Sequence, residues 1–444
     1  MTGPVRASSP NVVSGSVQKR ASRQSRSAAP DFPAGRHGSP AAAGLYAAAG
    51  VLLAVMPLAM VFANRSSPAF VGLAALAFLA GRWREDAAAC RTRLFRPLAT
   101  PLAGAALAFL AWCLLSLAWS PFPATSLRVL GEFLPILAGA YLLAVLAPGR
   151  IPAFAPRLAA GAIGLAGLLI AVDLASDLAL ERALGRRVAA FVHNRPALTL
   201  DLVAGPVALV LWRLRTRGLA AAVIALAALG VLRSISGAAQ LGLLAGTMMF
   251  ALARVLPPRP GLALAGLGLG LAVALAPVEG DLLARIMPEA AHERLVQSSS
   301  RARVAIARSF GAAVAADPWR GAGFGTSARF AETPVAATVQ PEMRVLLGVG
   351  HPHNSFLQVW AELGLPGALL VALVLMLMLS RIARLPQPDR AAALGLVACA
   401  ASIAFVEHNG WAAWWTAGLG AAISWMRAAS QPDAVTGSGM DDSA

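Results

Sequence analysis

Charge is what this chain has least of. Only 13% of its 444 residues are Asp, Glu, Lys or Arg, and 58% are hydrophobic, whereas a soluble domain carries about 25% charged residues. Too little polar surface is left to cover a water-soluble globule of this size, which excludes an ordinary soluble enzyme and indicates a polytopic membrane protein. Lysine is nearly missing: of 37 basic residues only Lys19 is not arginine, and against 21 acids the formal net charge is +16. That excess does not indicate nucleic acid, because the arginines stand singly in short loops between apolar runs and build no basic face. They read instead as topology signals. Cysteine is scarce too. Cys90, Cys113 and Cys399 include no pair at metal-ligand spacing, and their odd number argues against a disulfide framework.

Residues 1–40 are rich in Ser, Pro, Gly and Arg, with no acid before Asp31, and are predicted to be a disordered cytoplasmic tail. The composition also resembles an organelle transit peptide, but prolines and glycines break any amphipathic helix. The first apolar run is expected to stay as an anchor. Apolar runs near 41–63, 68–82, 101–119, 130–147, 151–175, 197–212, 218–232, 237–254, 260–278, 356–380, 391–406 and 411–427 predict about twelve transmembrane helices. The organisation is then spans one to nine in 41–278, a large loop at 279–355, spans ten to twelve in 356–427 and a second disordered tail at 428–444. With the first tail inside, arginines gather in the inside loops, while the short outside loops hold only Arg65, Arg128 and Arg233. The loop at 176–196 breaks the trend with Arg182, Arg186, Arg187 and Arg195. Asp173 and Asp201 fall near span ends, where a carboxylate can reach water.

Loop 279–355 lies outside in this scheme and is the only extramembrane region long enough to fold. Ser300 is placed to cap a helix in which Arg303, Ala307 and Phe310 share one face. That helix ends at Asp317-Pro318, and Trp319-Arg320-Gly321-Ala322-Gly323-Phe324-Gly325 follows as a glycine-rich turn. Its spacing is wrong for a dinucleotide fingerprint, so close backbone approach is the expectation. The loop closes on His351-Pro352-His353-Asn354-Ser355, with Glu362 about two turns into the next helix. This stretch concentrates polar chemistry at a membrane rim. A histidine with a pKa near 6.5 can take a hydroxyl proton; equally, it can be a structural histidine bonded to a loop carbonyl. His351 and His353 as a metal pair would need further ligands, and no Cys or clustered carboxylate completes a site. Asn354 and Ser355 are expected helix caps, with Asn354 also able to orient His353. Glu407, His408 and Asn409 form a short outer loop beside the proposed site. Trp360, Trp411, Trp414 and Trp415 fit an interfacial aromatic belt.

The order Arg303, then Asp317 to Gly325, then His353-Asn354 with Glu362 and Gly364, resembles the O-antigen ligase and polymerase superfamily of bacterial envelope glycosyltransferases. So does the position of the large loop between spans nine and ten. The stretch Phe191-Val192-His193-Asn194-Arg195-Pro196 is similar to the family's Asn-rich start of a central span. The family arginine of a central outer-facing helix aligns with Gly237. Either Arg233, about 6 Å earlier along a helix axis, serves in its place, or this branch binds the phosphates differently. The resemblance implies a GT-C-like all-α fold in the bacterial inner membrane with its active site facing the periplasm. It implies an undecaprenyl-diphosphate-linked glycan as donor and lipid A-core, or a second lipid-linked glycan, as acceptor, with no metal, cofactor or nucleotide sugar. In that scheme His353 is the base, Arg303 and Arg233 hold the diphosphate, and Asn354, Glu362 and His351 support them. The rival class is a polysaccharide or lipid transporter. It would show broken spans in matching halves and mid-span charges, and neither is prominent here.

Overall fold

The computed structural model describes residues 39–294, 299–407 and 409–430. The two tails, apart from Ser39, Pro40 and residues 428–430, and His408 lie outside the described residues. Every regular element among the described residues is a helix. The long ones are α1 (Pro40–Phe62), α2 (Ser67–Glu85), α3 (Pro101–Leu115), α4 (Pro123–Leu146), α5 (Ala155–Ala175), α6 (Asn194–Arg213), α7 (Arg217–Arg233), α8 (Gly237–Val255) and α9 (Pro258–Ala274). After them come α10 (Glu279–Ile286), α11 (Ser300–Ala316), α12 (Ser355–Ile382), α13 (Gln387–Val406) and α14 (Ala413–Ala429). Sequence punctuation sets many of their starts. Proline opens α1, α3, α4 and α9, a position where its missing N–H costs nothing. Ser39, Thr100 and Ser236 accept from the backbone N–H three residues on.

The chain is an all-α polytopic membrane protein. Among the described residues eight helices are long and apolar enough to cross a membrane, and a ninth is reached when α9 is taken with the segment beyond its 55° bend. The other three predicted runs are also helices: α2, of 19 residues, and α7 and α14, of 17 each. Small residues let the helices approach closely, the packing mode that replaces the hydrophobic drive in lipid. A Cβ on Gly230 of α7 would lie 2.8 Å from the Cα of Gly167 in α5. Between α8 and α13, Gly242 meets Ile403 and Gly246 meets Cys399. The two helices are therefore antiparallel, with the start of α8 level with the end of α13. Connectivity brings the starts of α4, α6, α12 and α14 and the ends of α3, α5, α7 and α9 to that same end, where 279–355 packs.

Asp201 is half-buried, and one of its oxygens, Oδ2, is turned inward against Gly242 of α8 without a hydrogen-bond partner among the described residues. One expectation is corrected here. Trp411, Trp414 and Trp415 are not an outward belt. They are 7%, 8% and 5% exposed, and Trp411 packs on Phe109, Phe133 and Phe324.

Candidate active site

The site is built on a break in α12. Gly364 sits at φ 62, ψ −164 inside that helix, and Pro366 just beyond it has no N–H to continue the ladder. The freed backbone groups are taken up by the glycine-rich turn. Ala322 N–H donates to Ala361 O at 2.9 Å, Gly323 N–H to Glu362 O at 2.8 Å, and Leu365 N–H to Pro318 O at 2.8 Å. The two segments nearly touch. A Cβ on Gly321 would lie 2.5 Å from the carbonyl carbon of Glu362, and one on Gly364 would lie 2.4 Å from Trp319 O. Close backbone approach, expected for this turn, is what it provides.

Glu362 fastens the junction from inside. It is fully buried. Its Oε2 accepts from Gly325 N–H at 2.5 Å and the Trp411 indole at 2.7 Å. Its Oε1 accepts from Ser327 N–H at 3.2 Å, the Ser327 hydroxyl and Gln358 Nε2 at 3.0 Å. Trp112 of α3 and Trp119, just beyond its end, donate to Leu363 O and Gly321 O, and Ser116 Oγ receives Phe324 N–H. Glu362 thus belongs to a staple that joins loop, α12 and the α13–α14 connection. Among the described residues no hydrogen bond links it to His353.

His353 lies just before α12 in the left-handed region, φ 55, which a non-glycine residue seldom occupies. Its N–H donates to His351 Nδ1 at 3.1 Å, and the two rings stand 4.2 Å apart. Asn354 caps α12: its Oδ1 accepts from Phe356 N–H at 2.8 Å and Leu357 N–H at 3.2 Å. Its Nδ2 donates to the buried Glu279 of α10 at 2.5 Å. The Asn354 bonds are therefore made to Glu279 and to the start of α12, and not to the His353 ring. Positioning of His353 comes from the cap and from His351.

Arg303 of α11 and Glu407, the residue after α13, complete the cluster. Arg303 Nη2 donates to Glu407 Oε2 at 2.6 Å, with both side chains partly exposed. Burial holds the His353 pKa below its ordinary value. The Arg303 guanidinium pushes the same way, and the Glu407 carboxylate and backbone push back. Burial first, then His353 and Arg303, lower His351 to about 4. Both rings are neutral near pH 7, and a neutral imidazole carries a lone pair able to accept a proton. His353 Nδ1 is buried with no hydrogen-bond partner. The arrangement offers a proton acceptor, a cation and a carboxylate side by side at the rim of the bundle.

Some predicted residues are brought together and others are not. His351, His353, Asn354 and Arg303 share this corner. Arg233 is the exposed last residue of α7 at the same end of the bundle, and no hydrogen bond or ion pair joins it to the cluster among the described residues. Gln240 closes the turn beside it by donating to Ser234 O at 2.9 Å. Ser300 is not a cap. It is the first residue of α11 and its hydroxyl meets His292 Nδ1 at 2.9 Å. Arg301 and Arg308 pair with Glu289 and Asp281 on the surface. Sequence reasoning put Glu407 near the site without a role, and missed Glu279. Nothing in the residues near Glu279 marks it, because its partner lies 75 positions away.

A second polar cluster lies under the 176–196 loop. His193 Nε2 meets Asp173 Oδ2 at 2.7 Å, and both are buried. Glu181 completes a set whose ligand atoms lie within 4.8 Å of one another, as a metal ion would require. Leu180 N–H occupies the other Asp173 oxygen, and Arg186 binds Glu181. These contacts make the set a hydrogen-bonded latch for the loop, with His193 Nδ1 buried and left without a partner among the described residues. The expected water-facing Asp173 is thus corrected: it is 2% exposed.

No curated protein matches the chain. Residues 221–372 match the family model described as O-Antigen ligase; that segment contains α8, the folded loop, Arg303, His353 and the broken start of α12. Over that segment, about a third of its length, the chain is similar to the O-antigen ligase superfamily.

Proposed function

We propose that this chain is a membrane glycosyltransferase that moves a glycan from undecaprenyl diphosphate to an acceptor sugar hydroxyl, as in an O-antigen ligase, at the periplasmic face of the bacterial inner membrane. The observation that carries this reading is the meeting of His353, Arg303 and Glu407 beside a staple-held loop, with His353 and Arg303 inside the O-antigen ligase segment. A sugar hydroxyl is a poor nucleophile, and a neutral His353 takes its proton as the oxygen attacks the anomeric carbon. The bond from that carbon to the diphosphate oxygen breaks, and the electron pair leaves with the diphosphate. Arginine's permanent charge and planar fork suit the anion, and a partly buried site strengthens the contact. The donor, the lipid A-core acceptor, the metal independence and the roles of Asn354, Glu362 and Arg233 belong to the same proposal. A polymerase would share this chemistry and differ in acceptor.

The test is transfer by the purified full chain in detergent, with a polyprenyl-diphosphate glycan, lipid A-core or a second lipid-linked glycan, and EDTA. Transfer that persists in EDTA and is lost in His353→Ala supports the proposal, and the acceptor used separates ligase from polymerase. Arg303→Lys is expected to lose activity, since a point charge does not replace the fork. Full activity in His353→Ala removes the base assignment.

A further inference from the structure

The segment after α9 carries three distinct faces on one short helix. Beyond the 55° bend the chain runs helically from Ala276 to Ile286, a run that contains α10. One face turns into the fold. Glu279 and Gly280 are buried. Glu279 accepts from Asn354 Nδ2 at 2.5 Å, and a Cβ on Gly280 would collide with the backbone of Ala307 and Arg308 in α11. The second face is apolar and open. Val278, Leu282 and Ile286, spaced i, i+4, i+8, are 51%, 43% and 62% exposed. The third face is open and polar. Asp281, which pairs with Arg308, is exposed, and so are Ala284 and Arg285. With about 100° per residue, the three sets point roughly a third of a turn apart.

Such a division is satisfied where hydrocarbon meets water. Wholly in water, the helix would leave three neighbouring apolar side chains as an uncovered patch. Continued across the bilayer, it would carry Asp281 and Arg285 into hydrocarbon. Connectivity puts it at the surface: only Leu275 stands between Ala274, the end of α9, and Ala276. Leu275 is itself exposed, three residues before Val278, and extends the apolar face toward α9. The bend turns the helix off the α9 axis, as lying along a surface requires, and the long stem of Arg285 lets its charge stay in water.

We infer that α10 is an interfacial helix, seated in the bilayer surface through Val278, Leu282 and Ile286, and that this seat fixes the height of the neighbouring site above the membrane. The buried face transmits it. Glu279 holds the Asn354 cap of α12, next to His353. Gly280 meets α11, the helix that carries Arg303, and Gly311 of α11 in turn meets Pro277 O. Both elements of the site are thus fastened to the helix that lies on the lipid. The seat follows from the three faces alone. That its height matters rests on the transfer reading above, in which donor and acceptor are both lipid-borne and present their reacting groups at a set distance from the bilayer.

Depth measurements test the seat. The full chain is placed in phosphatidylcholine vesicles with a fluorophore on Leu282→Cys or on Ala284→Cys; Cys90, Cys113 and Cys399 are buried and stay unlabelled in the folded chain. The probe at 282 is expected to be quenched by nitroxide on the lipid acyl chains and shielded about tenfold from aqueous iodide relative to the probe at 284. Equal iodide quenching at both positions puts α10 in water, and shielding at 282 from both quenchers means that protein covers the face; either result overturns the inference. The link to the site is tested with Leu282→Gln combined with Ile286→Gln. Transfer is expected to fall about tenfold in vesicles and less than about twofold in detergent, because a micelle shapes itself to each variant. Leu282→Met with Ile286→Met keeps the face apolar and should retain transfer in both media. A loss of equal size in both media, as a folding defect would give, or no loss in vesicles, overturns the height role. A wild-type chain that transfers in neither medium removes the transfer reading and the height role with it, while the quenching result still decides the seat.

Discussion

Replacing Glu362 by glutamine is the sharpest test of how the loop is held. The change keeps the shape and exchanges one carboxylate oxygen for an NH2. Placed on the Oε2 side, the NH2 faces the Gly325 N–H and the Trp411 indole, neither of which can turn into an acceptor. Placed on the Oε1 side, it meets the Ser327 hydroxyl, which can rotate, but also Ser327 N–H and Gln358 Nε2. Gln358 cannot flip freely, since its Oε1 already accepts Gly410 N–H at 2.8 Å and its Nε2 also donates to Asn409. Either way two buried donors lose their acceptor. At about 1–3 kcal/mol for each unsatisfied buried group, with the lower half favoured because the hydroxyl adapts, the cost is about 2–4 kcal/mol. It falls on the junction between the loop and α12 and not on the bundle, whose packing Glu362 does not touch from below. The readout is therefore local. Arg320, at the edge of the glycine-rich turn, has an exposed side chain, and trypsin cutting at Arg320–Gly321 requires that turn to lift from α12. Where reclosing outruns cleavage, the rate follows the opening equilibrium, so about 2–4 kcal/mol becomes roughly a 30- to 1,000-fold faster cut. A rise of less than about threefold, with thermal melting unchanged, refutes the staple.

Two further outcomes follow from the same corner. Asn354→Ala removes the α12 cap, worth about 1 kcal/mol, and strips the buried Glu279 of its amide partner, for a further loss of about 1–3 kcal/mol; thermal unfolding in detergent that shifts by less than the cap alone contradicts the Glu279 contact. Transfer that needs neutral His353 should be lost only as pH falls through a pKa below 6.5, because burial and Arg303 hold that group down. Glu407 opposes them, so Glu407→Gln should move the acid limb of kcat/KM to still lower pH, and a limb that moves upward refutes the assignment.

Much of this architecture is legible in the sequence because its signals are local. Runs of Ala, Leu, Val and Gly bounded by Arg and Pro mark the helices. The glycines at 321, 323, 325 and 364 mark a place where backbone meets backbone, and each has positive φ. What the sequence hides is long-range. The partner of Arg303 lies 104 residues away, and that of Asn354 lies 75 residues back. Tryptophans near span ends read as lipid-facing because the aromatic belt is the common case. Here Trp411 is drawn inward by the Glu362 carboxylate, and a buried carboxylate needs such donors more than the interface needs another ring. Asp173 reads as water-facing until His193, 20 residues on, folds back against it.

The 176–196 loop shows why counting charges by loop misleads. Its four arginines run against the expected topology, yet a guanidinium whose charge and donors are engaged locally signals differently from one free in solvent. Arg182 donates to Ser176 O at 2.9 Å, Arg186 binds Glu181, Arg187 stacks 4.8 Å over Phe191, and Arg195 stacks over Trp414. The first three fasten the loop around the Asp173–His193 contact. The fourth, in the first turn of α6, is held by the Trp414 ring and by Asn64. An excess of arginine on the unexpected side of a membrane protein therefore does not argue against the topology when each guanidinium is engaged within the fold.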